Sequence, residues 1–274
     1  MIVGTNSYRW LQYFQARGER LEDHLDEALA ATARAGLDAW EQAMLPDDAI
    51  ATRLGRLLDE HGLSMPSMYV GCRLHDDAWR ASSDVAMQHV ARGVALGARF
   101  ICVNPDPIAW HAPADKDDDA LARQAERLAL LGERVRDAGA RLIYHFHAPE
   151  FRQAAREVHH MLLTVPADLL GLCFDVHWAY RGCGNSNLAA QDLLRLYGDR
   201  VATLHVRQSH GGVWAETLGE GDVAYAPIVA ALRQQRFDGP VHIELASESG
   251  TPQTMSLEDA HRLSLAWVRD TFAG

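Results

Sequence analysis

Four times in this chain a charged, Ala- and Leu-rich stretch ends in a glycine, and an apolar run follows at once. The junctions are Ala35-Gly36-Leu37, His61-Gly62-Leu63, Leu96-Gly97-Ala98 and Ala138-Gly139-Ala140. Glycine just past a helix adopts the left-handed cap conformation at little steric cost. Each junction therefore reads as a helix returning into a strand. Extending the pattern along the chain places strands at 2–5, 37–41, 64–70, 99–104, 141–147, 169–175, 200–206 and 240–245. Helices are expected over about 21–35, 47–61, 77–96, 117–138, 152–163, 187–197, 224–235 and 256–272. Strands such as Phe100-Ile101-Cys102-Val103 are almost wholly apolar, as parallel strands covered on both faces must be. Regular alternation without a break in composition predicts a parallel α/β fold. Eight units favour closure over an open sheet, so the expected architecture is a (β/α)8 TIM barrel spanning 1–274 as a single domain.

Composition enters as a set of exclusions. The chain has 274 residues, 48% of them hydrophobic and 23% charged, with a net charge of −11. An acidic chain without a basic tract argues against nucleic acid as a partner. No apolar run is long enough to span a membrane, and the opening MIVGTNSYRW lacks the charged and apolar regions of a signal peptide. Cys72, Cys102, Cys173 and Cys183 form no Cys-x-x-Cys pair. Cys102 and Cys173 lie in apolar runs and read as small core residues, so reduced thiols and a cytoplasmic address are expected. The composition is compatible with a homo-oligomer and does not specify one.

In a barrel of this kind the chemistry sits where the strands end. Strand five ends Ile143-Tyr144-His145-Phe146-His147, strand six Cys173-Phe174-Asp175, strand seven Leu204-His205 and strand eight Ile243-Glu244. His145, Asp175, His205 and Glu244 stand 30, 30 and 39 residues apart, about one β/α unit each. Buried charges brought together need a metal or a partner to offset desolvation. Mixed imidazole and carboxylate donors suit Mn, Fe, Co or Zn, and Mg less well. One divalent ion per chain is expected, with manganese preferred. The strand period puts His145 and His147 on one face, so either could be the strand-five ligand.

Other polar residues near strand ends have two readings each. Glu41 contacts substrate or is a surface carboxylate. Glu150 is an acid/base group or offsets a helix dipole. Arg207, Gln208 and Trp214 hold a polar substrate, or form an ordinary ion pair and a packed ring. His75 and His111 close the loops after strands three and four, and His159 and His160 are expected at the surface of a helix. The turns at Gly211-Gly212 and Gly219–Gly221 are too irregular for a phosphate loop. The 104–116 and 207–222 connections are long, which marks them as parts of a site.

Several segments together resemble the xylose isomerase-like barrel superfamily, in its sugar phosphate isomerase/epimerase branch. They are Gly36-Leu37-Asp38-Ala39-Trp40-Glu41, Tyr144-His145-Phe146-His147-Ala148-Pro149-Glu150-Phe151, Asp175-Val176-His177, Leu204-His205-Val206-Arg207, Leu218-Gly219-Glu220-Gly221-Asp222 and Ile243-Glu244. The resemblance implies ligands from strands five to eight: His145, Asp175, His205 and Glu244. Many members carry Glu where this chain has His145, which bears on the two-glutamate proton shuttle of keto-sugar epimerases. The implied activity is isomerisation or epimerisation of a keto-sugar or related polyol, by proton abstraction beside a carbonyl that the ion polarises. Glu244 is the implied base, with His147 or Glu150 as partner acid, and Glu41, His177, Arg207 and Trp214 as substrate contacts. Two alternatives stand beside it: a lyase or dehydratase acting on a keto-inositol or 3-keto-glycoside, and a barrel that binds a polyol without turnover. The superfamily also holds a zinc-dependent abasic-site endonuclease, against which the acidic charge argues.

Overall fold

The computed structural model describes residues 1–110 and 112–273, so His111 lies outside the described residues. The chain runs β1 (Val3–Asn6), α1 (Tyr8–Gln15), α2 (Leu25–Arg34), β2 (Ala39–Ala43), α3 (Asp48–His61), β3 (Ser67–Cys72), α4 (Trp79–Ala95) and β4 (Phe100–Pro105). It continues α5 (Asp118–Asp137), β5 (Arg141–Tyr144), α6 (Arg152–Thr164), β6 (Gly171–Asp175), α7 (Val176–Gly182), α8 (Asn187–Tyr197) and β7 (Val201–Val206). It closes with β8 (Ser209–His210), β9 (Val213–Trp214), α9 (Tyr225–Gln234), β10 (Val241–Ile243) and α10 (Leu257–Ala273). Eight strands form a closed parallel barrel in the order β1-β10-β7-β6-β5-β4-β3-β2, and Val3 pairs with Val241 to close it. β8 and β9 form a separate antiparallel hairpin.

The four glycine junctions hold. Gly36, Gly62, Gly97 and Gly139 have φ of 89°, 66°, 100° and 90°, the left-handed region that a Cβ disfavours. Helix starts are equally local. Asp47, Asp117 and Ser186 accept a backbone N–H from the first turn of α3, α5 and α8, which satisfies one otherwise orphaned donor each.

Strand period two divides the core into shells. Ile101, Val103, Leu142, Tyr144, Leu172, Phe174 and Leu204 belong to the large apolar cluster shared with the helices. The alternate residues Cys102, Ile143 and Cys173 make a small cluster inside the barrel, with Tyr69 and Phe100 packed on it. Regular β5 ends at Tyr144 rather than at 147 as expected, although the His145 N–H still donates to the Val103 carbonyl at 2.8 Å. His145 therefore keeps its inward place, while His147 leaves on a loop. The 207–222 connection folds around Asp222. Its carboxylate accepts from Gly211 N–H, Gly212 N–H and the Ser209 hydroxyl at 2.9, 2.8 and 2.8 Å. The two glycines serve this internal anchor.

Candidate metal centre and active site

β5, β6 and β7 each deliver one inward side chain just past the apolar interior: His145, Asp175 and His205. All three are buried, and one ligand atom of each lies within 4.8 Å of the other two. Asp175 is also the N-cap of α7. Its Oδ1 accepts from Trp178 N–H at 2.8 Å, while Oδ2 has no hydrogen-bond partner. His145 Nδ1 is likewise unpartnered. His205 Nδ1 stands 2.9 Å from Glu244 Oε2 and Nε2 stands 2.9 Å from Glu41 Oε1, yet neither approach has hydrogen-bond geometry. Buried orphan atoms of this kind cost about 1–3 kcal/mol each. A cation held by the same atoms would satisfy them, so these residues fit a divalent ion.

Glu244 follows β10 and reaches one member of this group, His205. Its Oε1 is paired with the Arg207 guanidinium, and Oε2 accepts from Asn6 Nδ2 at 2.6 Å. Arg207 is itself buried, donates from Nε to the Glu244 carbonyl at 3.0 Å, and lies 4.1 Å over the Trp214 ring. Both Glu244 oxygens thus already accept donors.

His147 stands on the wall, edge-on to Trp110 at 5.4 Å and to Trp178 at 5.3 Å. Its Nδ1 is 2.9 Å from Asn104 Oδ1. The Asn104 amide nitrogen donates to the His145 carbonyl and to Glu150 at 3.3 and 3.4 Å. A carbonyl can only accept, so the amide orientation is fixed, and Nδ1 of His147 must carry the proton. Nε2 keeps its lone pair. Burial, followed by Arg207 and His205, pushes the His147 imidazole down to about 3, so it is neutral at ordinary pH. Glu150 accepts the His147 backbone N–H at 2.8 Å and is fully buried behind it. Burial, then Glu157, raises its carboxyl to about 7.

Glu41 is not the surface carboxylate that one reading allowed. It is fully buried, close to His205, and accepts from the Ser67 hydroxyl at 2.5 Å. Burial alone would raise its carboxyl, but His205 and His242 outweigh that and draw it down to about 2. His177 is buried against Tyr180 and Trp214, at 5.9 and 6.3 Å between rings. It is absent from the cavity lining because α7 begins at Val176, so the strand period stops at Asp175. Burial, then Arg207 and Arg181, pushes it down to about 2. His75 is also absent from that lining, and His159 bonds Tyr197 at 2.7 Å on the helical layer.

Above these groups opens a cavity of about 570 Å³, whose lining includes Glu41, His145, His147, His205, Arg207, Trp214 and Glu244. Asn6, Tyr69, Trp110 and Trp178 also line it and were not foreseen. Asn6 ends β1, so reading the last polar residue of strand one would have found it, as it would have found Asn104 at the end of β4. Trp110 and Trp178 lie in segments without periodicity and carry no such signal.

The molecule is thus an eight-stranded parallel barrel with nitrogen and oxygen atoms that could hold a metal ion gathered at the C-terminal ends of its strands. Residues 29–271 match the family model described as xylose isomerase-like TIM barrel, and the chain belongs to that family. It is 24% identical over 222 residues to an inosose dehydratase of Lacticaseibacillus casei, covering 70% of this chain and 72% of that one. The fold is similar to D-psicose 3-epimerase of Clostridium cellulolyticum H10, with TM-score 0.78, 17% identity and 99% of each chain covered. It is also similar to 3-keto-D-glucoside 4-epimerase of E. coli, with TM-score 0.71, 15% identity and 98% and 99% covered.

Proposed function

We propose that the protein is a divalent-metal-dependent isomerase or epimerase of a keto-sugar or related polyol. The observation that carries this is the group of unpartnered atoms on His145, Asp175 and His205, two of which line the same cavity as a free imidazole lone pair on His147. Glu244 supplies the fourth ligand, held ready by Arg207 and Asn6. The donor set suits manganese, and iron, cobalt or zinc in its place. A divalent ion held by these residues would polarise a substrate carbonyl and make the adjoining C–H more acidic. His147 Nε2, in the tautomer that Asn104 holds, is the group that takes that proton; an imidazole held at about 3 is a weak base, so the transfer depends on the acidity that the ion would supply. Glu244 then has the ligand role, and His147 the base role. Trp110 and Trp178 offer apolar walls to the C–H faces of a sugar and exclude water from the reacting carbon. The related epimerase structures and the inosose dehydratase relatives support a small polyhydroxylated substrate. Four free cysteines support a cytoplasmic setting, and no helix among the described residues is long and apolar enough to cross a membrane.

A second reading, dehydration of a keto-inositol or elimination from a 3-keto-glycoside, is favoured by one observation. Strand five ends in His145 rather than a glutamate, so the two-glutamate proton shuttle of keto-sugar epimerases is incomplete. A single base beside a β-hydroxyl suffices for loss of water. Chelator-stripped protein, with and without restored Mn²⁺, should be assayed on ketohexoses, a keto-inositol and a 3-keto-glycoside. Metal-dependent interconversion at constant mass is expected. A product one water lighter establishes the second reading, and no turnover of any compound by metal-loaded protein contradicts both.

A further inference from the structure

Directly inside the barrel from the candidate centre lie two thiols. Cys102 on β4 and Cys173 on β6 are fully buried and free. They occupy alternate strands, and inward side chains from alternate strands share a layer of a barrel. One ligand atom from each thiol and from His205 lies within 4.8 Å of the other two. The two nitrogens of His205 look in different directions. Nδ1 faces Glu244 and Nε2 faces Glu41. Glu41 Oε1 and both ring nitrogens lack a hydrogen bond, although Glu41 is fully enclosed and His205 nearly so. Buried thiols alone are ordinary small core residues. A thiol pair set against an imidazole is a donor set that a thiophilic ion would satisfy.

We propose that Cys102, Cys173 and His205 form a second metal site that takes a thiophilic divalent ion such as zinc. Two sulfurs and one nitrogen are donors of the kind zinc accepts, and thiolates select against manganese and magnesium. Binding releases both thiol protons. His205 belongs to both donor groups, and a neutral imidazole has one lone pair. The two sites therefore compete for it, and zinc in the lower site weakens manganese binding in the upper one.

Cobalt titrated into reduced, chelator-stripped protein reports thiolate ligation through a charge-transfer band in the near ultraviolet. The band is expected in the wild-type protein and in Asp175→Asn, which damages only the upper group. It should vanish in the Cys102→Ser/Cys173→Ser double variant. Should that variant fail to fold, X-ray absorption on zinc-loaded wild-type protein decides, with two sulfur neighbours expected at about 2.3 Å. A wild-type protein without the band, a band that survives loss of both thiols, or zinc surrounded only by nitrogen and oxygen overturns the proposal. None of these readouts depends on keto-sugar turnover, so the thiolate site and the proposed function fail separately.

Discussion

His145 and His147 differ in what their surroundings leave them free to do. His145 Nδ1 is buried and unpartnered beside Asp175 and His205, whereas His147 is locked by Asn104 into a tautomer with its lone pair on Nε2. His145→Ala is therefore expected to weaken manganese binding in a calorimetric titration. His147→Ala should keep the metal and lose a factor of about 10²–10⁴ in rate, the usual worth of a positioned base. Loss of metal from the His147 variant with retention in the His145 variant would reverse the two roles. Glu150 makes a separate prediction about stability. Its folded-state value of about 7 lies above that of an unfolded carboxyl. Its contribution is therefore full below the unfolded value and is lost as pH climbs through 7. Glu150→Gln is neutral throughout and escapes that loss. In urea unfolding of chelated protein, wild type should lose on the order of 2 kcal/mol more than the variant between about pH 5 and about pH 8. Equal losses would mean that Glu150 is ionised in the folded protein at both pH values.

Among the elements, β1 packs closely on its neighbours. A Cβ on Gly4 would meet the Ala39 carbonyl oxygen at 2.7 Å, the Ala39 Cβ at 2.9 Å and His242 Nδ1 at 2.9 Å. Two of these belong to a neighbouring strand and cannot swing aside. Gly4→Ala should cost about 1–3 kcal/mol in chemical denaturation, the usual range for overpacking, and a variant as stable as wild type would show that β1 can shift. The elements that could be read from the sequence are those with local signals. α3, expected over 47–61, runs Asp48–His61, because the residues that flank it, Asp47 and Gly62, cap its two ends. α1 and α7 had no such marks. Ser7 makes no side-chain cap bond to α1, and the cap of α7 is Asp175, which the strand pattern already claimed as a ligand. The same overlap misplaced His177, which period two would set beside Asp175 and which helix α7 turns behind Trp214. His145, Asp175 and His205 could be found because register alone brings them together. Asn104's grip on His147 could not, since it joins a strand end to a loop that only the folded chain brings within 3 Å.

The whole molecule places its polar interior at one end. The helices and outward strand faces share one apolar shell, and the inward faces pass from Cys102, Ile143 and Cys173 to His145, Asp175 and His205 beneath an open cavity. In a closed parallel barrel the register of the strands brings these side chains to one end. The net charge of −11 leaves the surface unsuited to a polyanion, which suits a neutral, polyhydroxylated substrate in a cavity of this size. The central claim is that metal at this centre lets His147 remove a proton from the carbon beside a ketone. Deuterium wash-in reads that step whether an epimer or an elimination product follows. Mn²⁺-loaded protein should be incubated in deuterated water with the keto-sugar and keto-inositol panel and followed by proton NMR. Loss of one C–H signal next to a carbonyl is expected, abolished by chelation and by Asp175→Asn and restored by added Mn²⁺ in the wild type only. Full manganese occupancy without exchange at any carbon of any compound would contradict it.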